Sequence, residues 1–129
     1  MEYQYDGVCV RVIDGDTVVL RLSKTFTQGV DFGFHILDTM TLTKTADVIF
    51  RMNGINTPEI IGAEKTRGLA AKTALEGLLA NQTLRVVSHK TDKYGRWLAD
   101  IFIGDVNVSQ EMIDLGHAVA WDGKGPKPT

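Results

Sequence analysis

Three short runs concentrate the groups from which a reaction could be built: Val12-Ile13-Asp14-Gly15-Asp16-Thr17, Arg51-Met52-Asn53-Gly54-Ile55-Asn56-Thr57-Pro58-Glu59 and Thr91-Asp92-Lys93-Tyr94-Gly95-Arg96. Hydrolysing a phosphodiester requires a nucleophilic water, charge stabilisation on the phosphoryl oxygens and help for the leaving oxygen. Carboxylates and other hard oxygen ligands can hold a divalent cation. Arginines bind phosphate oxygens bidentately and keep their charge at any working pH. Asp16, Asn56, Thr57, Glu59, Arg51 and Arg96 supply these types. Spacing alone does not bring them together, so the elements that carry them must.

Over Tyr3–Asp14 the apolar positions Val8, Val10 and Val12 alternate with polar or small ones, the period of a half-buried strand. Asp14-Gly15 is a turn signal, and 16–24 reads as a second strand with Val18, Leu20 and Leu22 on one face, so Asp14 and Asp16 sit in a tight hairpin. Residues 25–45 lack helical spacing and read as an insertion, an extended loop or an extra hairpin. A third strand over 46–52 ends at Asn53-Gly54, and Pro58 stiffens the loop that follows.

Helical spacing of Leu69, Ala70, Ala74, Leu75, Leu78 and Leu79 predicts one amphipathic helix over 64–80. Strands at 84–89 and 98–103 flank the third run, and Ser109 is placed to cap a short last helix that Gly116 ends. This order, without internal repeats, predicts a mainly β, α+β single domain over 1–129. Its core is a five-stranded oligonucleotide-binding (OB-fold) barrel, with a helix after strand 3 and a short C-terminal helix. Residues 122–129, with two prolines, two glycines and two lysines, read as a flexible tail.

The chain has 129 residues, 43% hydrophobic and 23% charged, enough for one hydrophobic core without disulfides. Its net charge of −2 disfavours a sequence-independent coat for nucleic acid, which depends on long-range attraction to phosphates. An enzyme that grips one or two phosphates at contact distance is compatible with it. The single cysteine, Cys9, reads as a small hydrophobe in a strand, and His35, His89 and His117 lack the paired spacing of a zinc site. Without a basic-then-apolar leader or a long apolar run, the expectation is a cytoplasmic protein, secreted only if a leader was removed, with no membrane partner.

Ile-Asp-Gly-Asp-Thr, Arg-x-x-Gly-Ile-Asn-Thr-Pro-Glu, Thr-Asp-Lys-Tyr-Gly-Arg and the closing Gly-His-Ala resemble the staphylococcal nuclease (thermonuclease) family, in the same order and over approximately residues 8–121. The resemblance implies a calcium-dependent nuclease that cleaves DNA and RNA, preferably single-stranded or flexible, with low sequence specificity, leaving 3′-phosphates. It implies Asp16 as a calcium ligand, Thr57 contributing its backbone carbonyl, Asn56 at the position of a second ligand and Asp14 in the outer shell. Glu59 would orient or deprotonate the attacking water. Arg51 and Arg96 would grip the phosphate and stabilise the transition state, and Lys93 and Tyr94 would contact the nucleotide.

Two departures stand out. Well-known members carry aspartate where this chain has Asn56, which keeps a carbonyl oxygen but removes a charge, so weaker calcium binding is expected. The 25–45 insertion lengthens the path from Asp16 to Arg51 and could wall a groove, meet a protein partner or be a longer hairpin; a monomer is expected. The sequence also stops before a further C-terminal helix of the family, implying fewer substrate contacts.

Each run has an ordinary reading by itself: a hairpin turn at Asp14-Gly15-Asp16, a surface arginine at Arg51, a loop into a helix at Thr57-Pro58-Glu59, a polar hairpin at 93–96. Joint occurrence favours the chemical reading. Trp121 and Tyr94 could stack on bases, or Trp121 could pack on the last helix. The rival function is a noncatalytic nucleic-acid- or protein-binding module with a weakened metal site, which Asn56 supports and the retained Asp16, Arg51, Glu59 and Arg96 oppose.

Overall fold

The computed structural model describes residues 3–91 and 95–122. Five strands form a closed ring: β1 (Tyr3–Asp14) pairs with β2 (Thr17–Asp31) and β5 (Leu84–Thr91), β2 with β3 (Leu37–Met52), and β5 with β6 (Trp97–Ile103), all antiparallel. A parallel seam of three pairs, Phe50, Arg51 and Met52 against Trp97, Leu98 and Ala99, joins β3 to β6 and closes the ring. This is the mainly β, OB-type arrangement expected from the sequence. Two-residue strands β4 (Ile55–Asn56) and β8 (Val119–Ala120) pair outside it, while β7 (Val106–Asn107) extends the β6 edge.

Val18, Leu20 and Leu22 point into the ring as their alternation predicts, but β1 does not keep its period. The register steps from Cys9 opposite Leu20 to Arg11 opposite Val19, a bulge that inserts Val10 and reverses which side faces inward. Val8 and Val10 are therefore exposed, while Gly7, Cys9 and Val12 turn toward the core. Burial, and then the negative charge of Glu76, push the Cys9 thiol up, as befits a half-buried, unreactive thiol.

Helix α1 (Lys65–Leu79) follows a 3₁₀ turn at Gly62–Glu64. Its buried face is Gly68, Ala71, Leu75 and Leu79, rotated from the expected one, so Leu69 and Ala70 lie outside. The cause is steric: the first half of the helix meets two loops and admits only small residues there. Leu75 and Leu79 then fill the ring with Phe50, Met52, Leu84 and Ile101. Helix α2 (Val108–Asp114) is capped by Asn107, whose side chain accepts from the amides of Ser109 and Gln110, and not by Ser109. Ser109 Oγ donates instead to the carbonyl of Asn53 at 3.2 Å, tying the helix to the end of β3. Gly116, with φ of 82°, ends α2 through paired bonds from its own amide to Ile113 O and from the His117 amide to Met112 O.

The 25–45 segment is a hairpin. β2 and β3 run in unbroken register from Thr17 opposite Arg51 out to Asp31 opposite Leu37, so the insertion is a two-stranded arm projecting from the ring. Its tip turns through Phe34 and His35, both at positive φ. No helix among the described residues is long and apolar enough to cross a membrane.

Candidate functional site

The first run folds as expected into a two-residue turn, with Asp14 opposite Thr17 and the Asp16 amide donating to Asp14 Oδ1 at 3.1 Å. A Cβ on Gly15 would lie 2.8 Å from both Ala71 Cβ and Thr57 Oγ1, so the turn is wedged between α1 and the second run. That wedge buries Asp16. Thr17 Oγ1 donates to Asp16 Oδ1 at 3.1 Å, and the Thr57 amide donates to Asp16 Oδ2 at 3.2 Å across the wedge.

Arg51, only 5% exposed, lies against the same carboxylate, with Nη2 at 3.5 Å from Asp16 Oδ2 and 3.5 Å from Asn56 Oδ1. Its Nη1 donates to the carbonyls of Met52 and Ile55 at 3.1 and 3.0 Å, which holds the 52–56 loop in place. Trp121 covers the guanidinium at 5.2 Å, held by its amide on Gly54 O and by the β4–β8 pairing. Trp121 therefore packs on Arg51.

Burial, the hydrogen bond to Asp16 and its negative charge raise the Asp14 carboxyl to about 6. Burial acts on Asp16 in the same sense, but the Asp14 hydrogen bond, Arg51, the Thr57 amide and the Thr17 hydroxyl outweigh it and hold Asp16 below the usual carboxylate range. The half-buried Asp14 and the buried Asp16 thus titrate far apart, Asp16 staying ionised while Asp14 takes up a proton as pH falls through about 6.

The structure thus brings Asp14, Asp16, Arg51, Asn56 and Thr57 into one contact network. Glu59 lies two residues further on, exposed, with its amide donating to Glu64 Oε2 at 3.2 Å. Arg96 is half-buried and precedes Leu98, the partner of Arg51 in the seam, by two residues. Lys93 and Tyr94, like the expected flexible tail over 123–129, lie outside the described residues. The structure adds Thr17, Gly15, Gly68 and Trp121. Gly15 and Thr17 lay within the first run and Trp121 was a candidate for stacking, whereas Gly68 carried no signal of its part here.

Residues 49–128 match the model of the family described as staphylococcal nuclease homologue. The chain belongs to the staphylococcal nuclease family. The match includes Arg51, Asn56, Thr57, Glu59 and Arg96, whereas Asp14 and Asp16 precede it. A probable staphylococcal-like nuclease of Oryza sativa subsp. japonica is 29% identical over 68 residues, 53% of this chain and 18% of the rice protein. An uncharacterized protein of Methanocaldococcus jannaschii is 29% identical over 136 positions, 88% of this chain and 58% of its own. An uncharacterized endonuclease of Escherichia coli O157:H7 is 25% identical over 123 residues, 95% of this chain and 65% of its own. The chain spans less than two thirds of each of these relatives.

A calcium ion of the kind the family resemblance implies would take oxygen donors, and the candidates here would be the Asp16 and Asp14 carboxyls, Asn56 Oδ1 and the Thr57 carbonyl. Among the described residues no three His, Cys, Asp or Glu side chains are placed to hold a metal ion, so a cation here would also need the Asn56 amide oxygen and a backbone carbonyl. All are hard oxygens, and Asp16 and Asn56 both approach one nitrogen of Arg51. That donor set fits calcium with a low ligand charge.

Proposed function

We propose that the chain is a calcium-dependent nuclease that hydrolyses phosphodiester bonds of flexible, single-stranded DNA and RNA with little sequence preference. The observation that carries this reading is the convergence of Asp14, Asp16, Asn56 and Thr57 from two distant loops around Arg51. Asp16, Asn56 and the Thr57 carbonyl would hold the ion, with Asp14 behind them. When bound, calcium supplies positive charge next to the phosphoryl oxygens and the attacking water.

The chain's own groups do the rest. The two contacts of Arg51 Nη2 are at the long limit for hydrogen bonds, so a phosphate oxygen can replace them with a shorter, charge-assisted bond. Arg96 supplies a second cation from the start of β6. Glu59 takes the proton of the attacking water, and Lys93 and Tyr94 bind the nucleotide. Glu59→Gln and Arg96→Ala are each expected to reduce calcium-dependent cleavage of single-stranded DNA by about a hundredfold or more, with calcium affinity retained. Equal cleavage by these variants and the parent rejects the assignment.

One observation favours a noncatalytic module: the oxygens of Asp16 already meet Thr17, Thr57 and Arg51, so the site is satisfied without an ion. Calcium titration separates the readings, since heat of binding lost in Asp16→Ala supports a metal seat.

Two further results are expected from calorimetry. Asn56→Asp restores a ligand charge and tightens calcium binding about tenfold or more, and an unchanged or weaker affinity sinks the donor assignment. Binding also weakens as pH falls through about 6, because below that value Asp14 keeps the proton that an incoming cation must displace. An affinity equal well above and well below that pH removes Asp14 from the seat.

A further inference from the structure

The arm formed by the outer halves of β2 and β3 has two unlike faces. Its unbroken register places Ser23, Thr25 and Thr27 opposite Thr45, Thr43 and Thr41 on one side, with the Thr25 and Thr43 hydroxyls 3.1 Å apart. The other side continues the core face of Leu22. From base to tip it carries Lys24 opposite Lys44, Phe26 opposite Leu42, Gln28 opposite Met40, and Val30 opposite Asp38. Phe26 and Met40 are each 44% exposed on this face.

A like-charged pair directly opposite across two strands is unfavourable unless counter-charge reaches it. Two lysines at the base and an aspartate at the tip, with Phe26, Leu42 and Met40 supplying apolar surface between, make the face complementary to itself under a two-fold rotation. Antiparallel apposition of two arms sets the Lys24 and Lys44 row on Asp38, and the Phe26 and Leu42 row on the row of Gln28 and Met40. This is an isologous, closed interface.

The tips fit the same geometry. The arm rises about 23 Å from Lys24 to Asp31 at ~3.3 Å per residue, and its turn carries Phe34, 97% exposed, with Phe32 and Ile36. Where the arm leaves the ring, a pocket of about 260 Å³ opens between Tyr5, Leu22, Val48, Phe50 and Trp97. A cavity of roughly 150 Å³ holds a benzene ring. A straight ribbon carries its tip away from the pocket at its own base. In the antiparallel pair, each tip arrives at the base of the other arm.

We propose that two copies of this chain dimerise by laying their β2–β3 arms antiparallel through the Lys24, Phe26, Met40 and Asp38 face, with Phe34 of each copy entering the pocket at the base of the other. Nucleic acid and anionic lipid fit this arm poorly, since Asp31 and Asp38 flank its apolar tip.

Sedimentation velocity over rising protein concentration tests the pairing. The parent chain is expected to shift from monomer to dimer. The double variant Lys24→Glu, Lys44→Glu and the variant Asp38→Lys are each expected to weaken dimerisation about tenfold or more, because each sets like charges together. Mixing the two variants restores a dimer, since the acidic base of one then meets the basic tip of the other. The substitutions lie outside the core, and unchanged thermal unfolding of each variant confirms intact folds. A parent chain that stays monomeric at the highest concentration overturns the proposal, as does a dimer indifferent to both reversals. So does a monomer whose Phe34 serves only to bind DNA or lipid vesicles.

Discussion

Arg51→Ala is expected to lower both stability and cleavage, because the same guanidinium ties the fold together and, under the proposed function, grips the phosphate. Its removal takes from Asp16 a cationic partner in a buried setting and leaves the Met52 and Ile55 carbonyls without their donor. Breaking a buried pair by deleting one partner costs about 3–5 kcal/mol. The 3.5 Å separation places this pair at the lower end, which corresponds to roughly 10 °C in melting temperature for a domain of this size. Cleavage should fall about 10²–10³-fold, as when one donor to a developing charge is lost.

Arg51→Lys separates the two roles, since it keeps a charge near Asp16 but cannot bridge both carbonyls. It should recover part of the melting temperature and little of the activity. The pH dependence has a definite sign. Asp16 is held below its ordinary value, so its contribution is present above the unfolded carboxylate range and is lost as pH falls through the folded value. The gap in stability between parent and Arg51→Ala should therefore be widest near neutrality and narrow in acid. A melting temperature within error of the parent, or a gap that widens in acid, contradicts this account of the site.

Gly68→Ala should impair the reaction where helix propensity alone foretells a gain. In an exposed helix interior the change adds about 0.5–1 kcal/mol of stability. Here a Cβ would lie 2.1 Å from Glu59 O, 2.5 Å from Glu59 C and 2.9 Å from Ile60 N. All three are backbone atoms, so the strand of chain carrying Glu59 must move. A displacement of about 1 Å in a positioned group costs on the order of a hundredfold in rate. We expect kcat to fall by that order, with calcium affinity changed far less, because Asp16, Asn56 and Thr57 lie before the displaced segment. Gly77→Ala is the matching control: nothing lies within 4 Å of its added carbon, so it should stabilise the same helix and leave cleavage alone. Parallel behaviour of the two variants in cleavage would remove Gly68 from any part in placing Glu59.

The hairpin, the central helix and the strand order were legible because each rests on a local pattern: alternation at Val18, Leu20 and Leu22, helical recurrence around Leu75, and glycine or proline at the breaks. Non-local facts were not. The bulge at Val10 inverts the inward side of β1, and no pattern within β1 announces it, since it arises from fitting β1 to β2. The rotated face of α1 follows from loops that press on Gly68 and Ala71, which propensity reads only as a weak helical spot and a strong one. Asn107 and Ser109 are both good caps, and only the tie from Ser109 to Asn53 decides between them. Of the candidate site, the sequence indicated residue types and loops. It held no sign that Arg51 would spend its donors on carbonyls, or that Trp121 would cover it.

The three-pair seam between β3 and β6 bears on when the site exists at all. It joins Phe50, Arg51 and Met52 to partners nearly fifty positions later in the chain, and by loop-closure entropy such contacts form after the local hairpins and α1. Arg51 sits in that seam and Arg96 just ahead of it. A chain emerging from the ribosome holds Asp14, Asp16 and Asn56 long before the segment that carries Arg96 can close the seam. Under the proposed nuclease function, competence would therefore arrive only with ring closure, and a half-folded molecule would spare the nucleic acid around it.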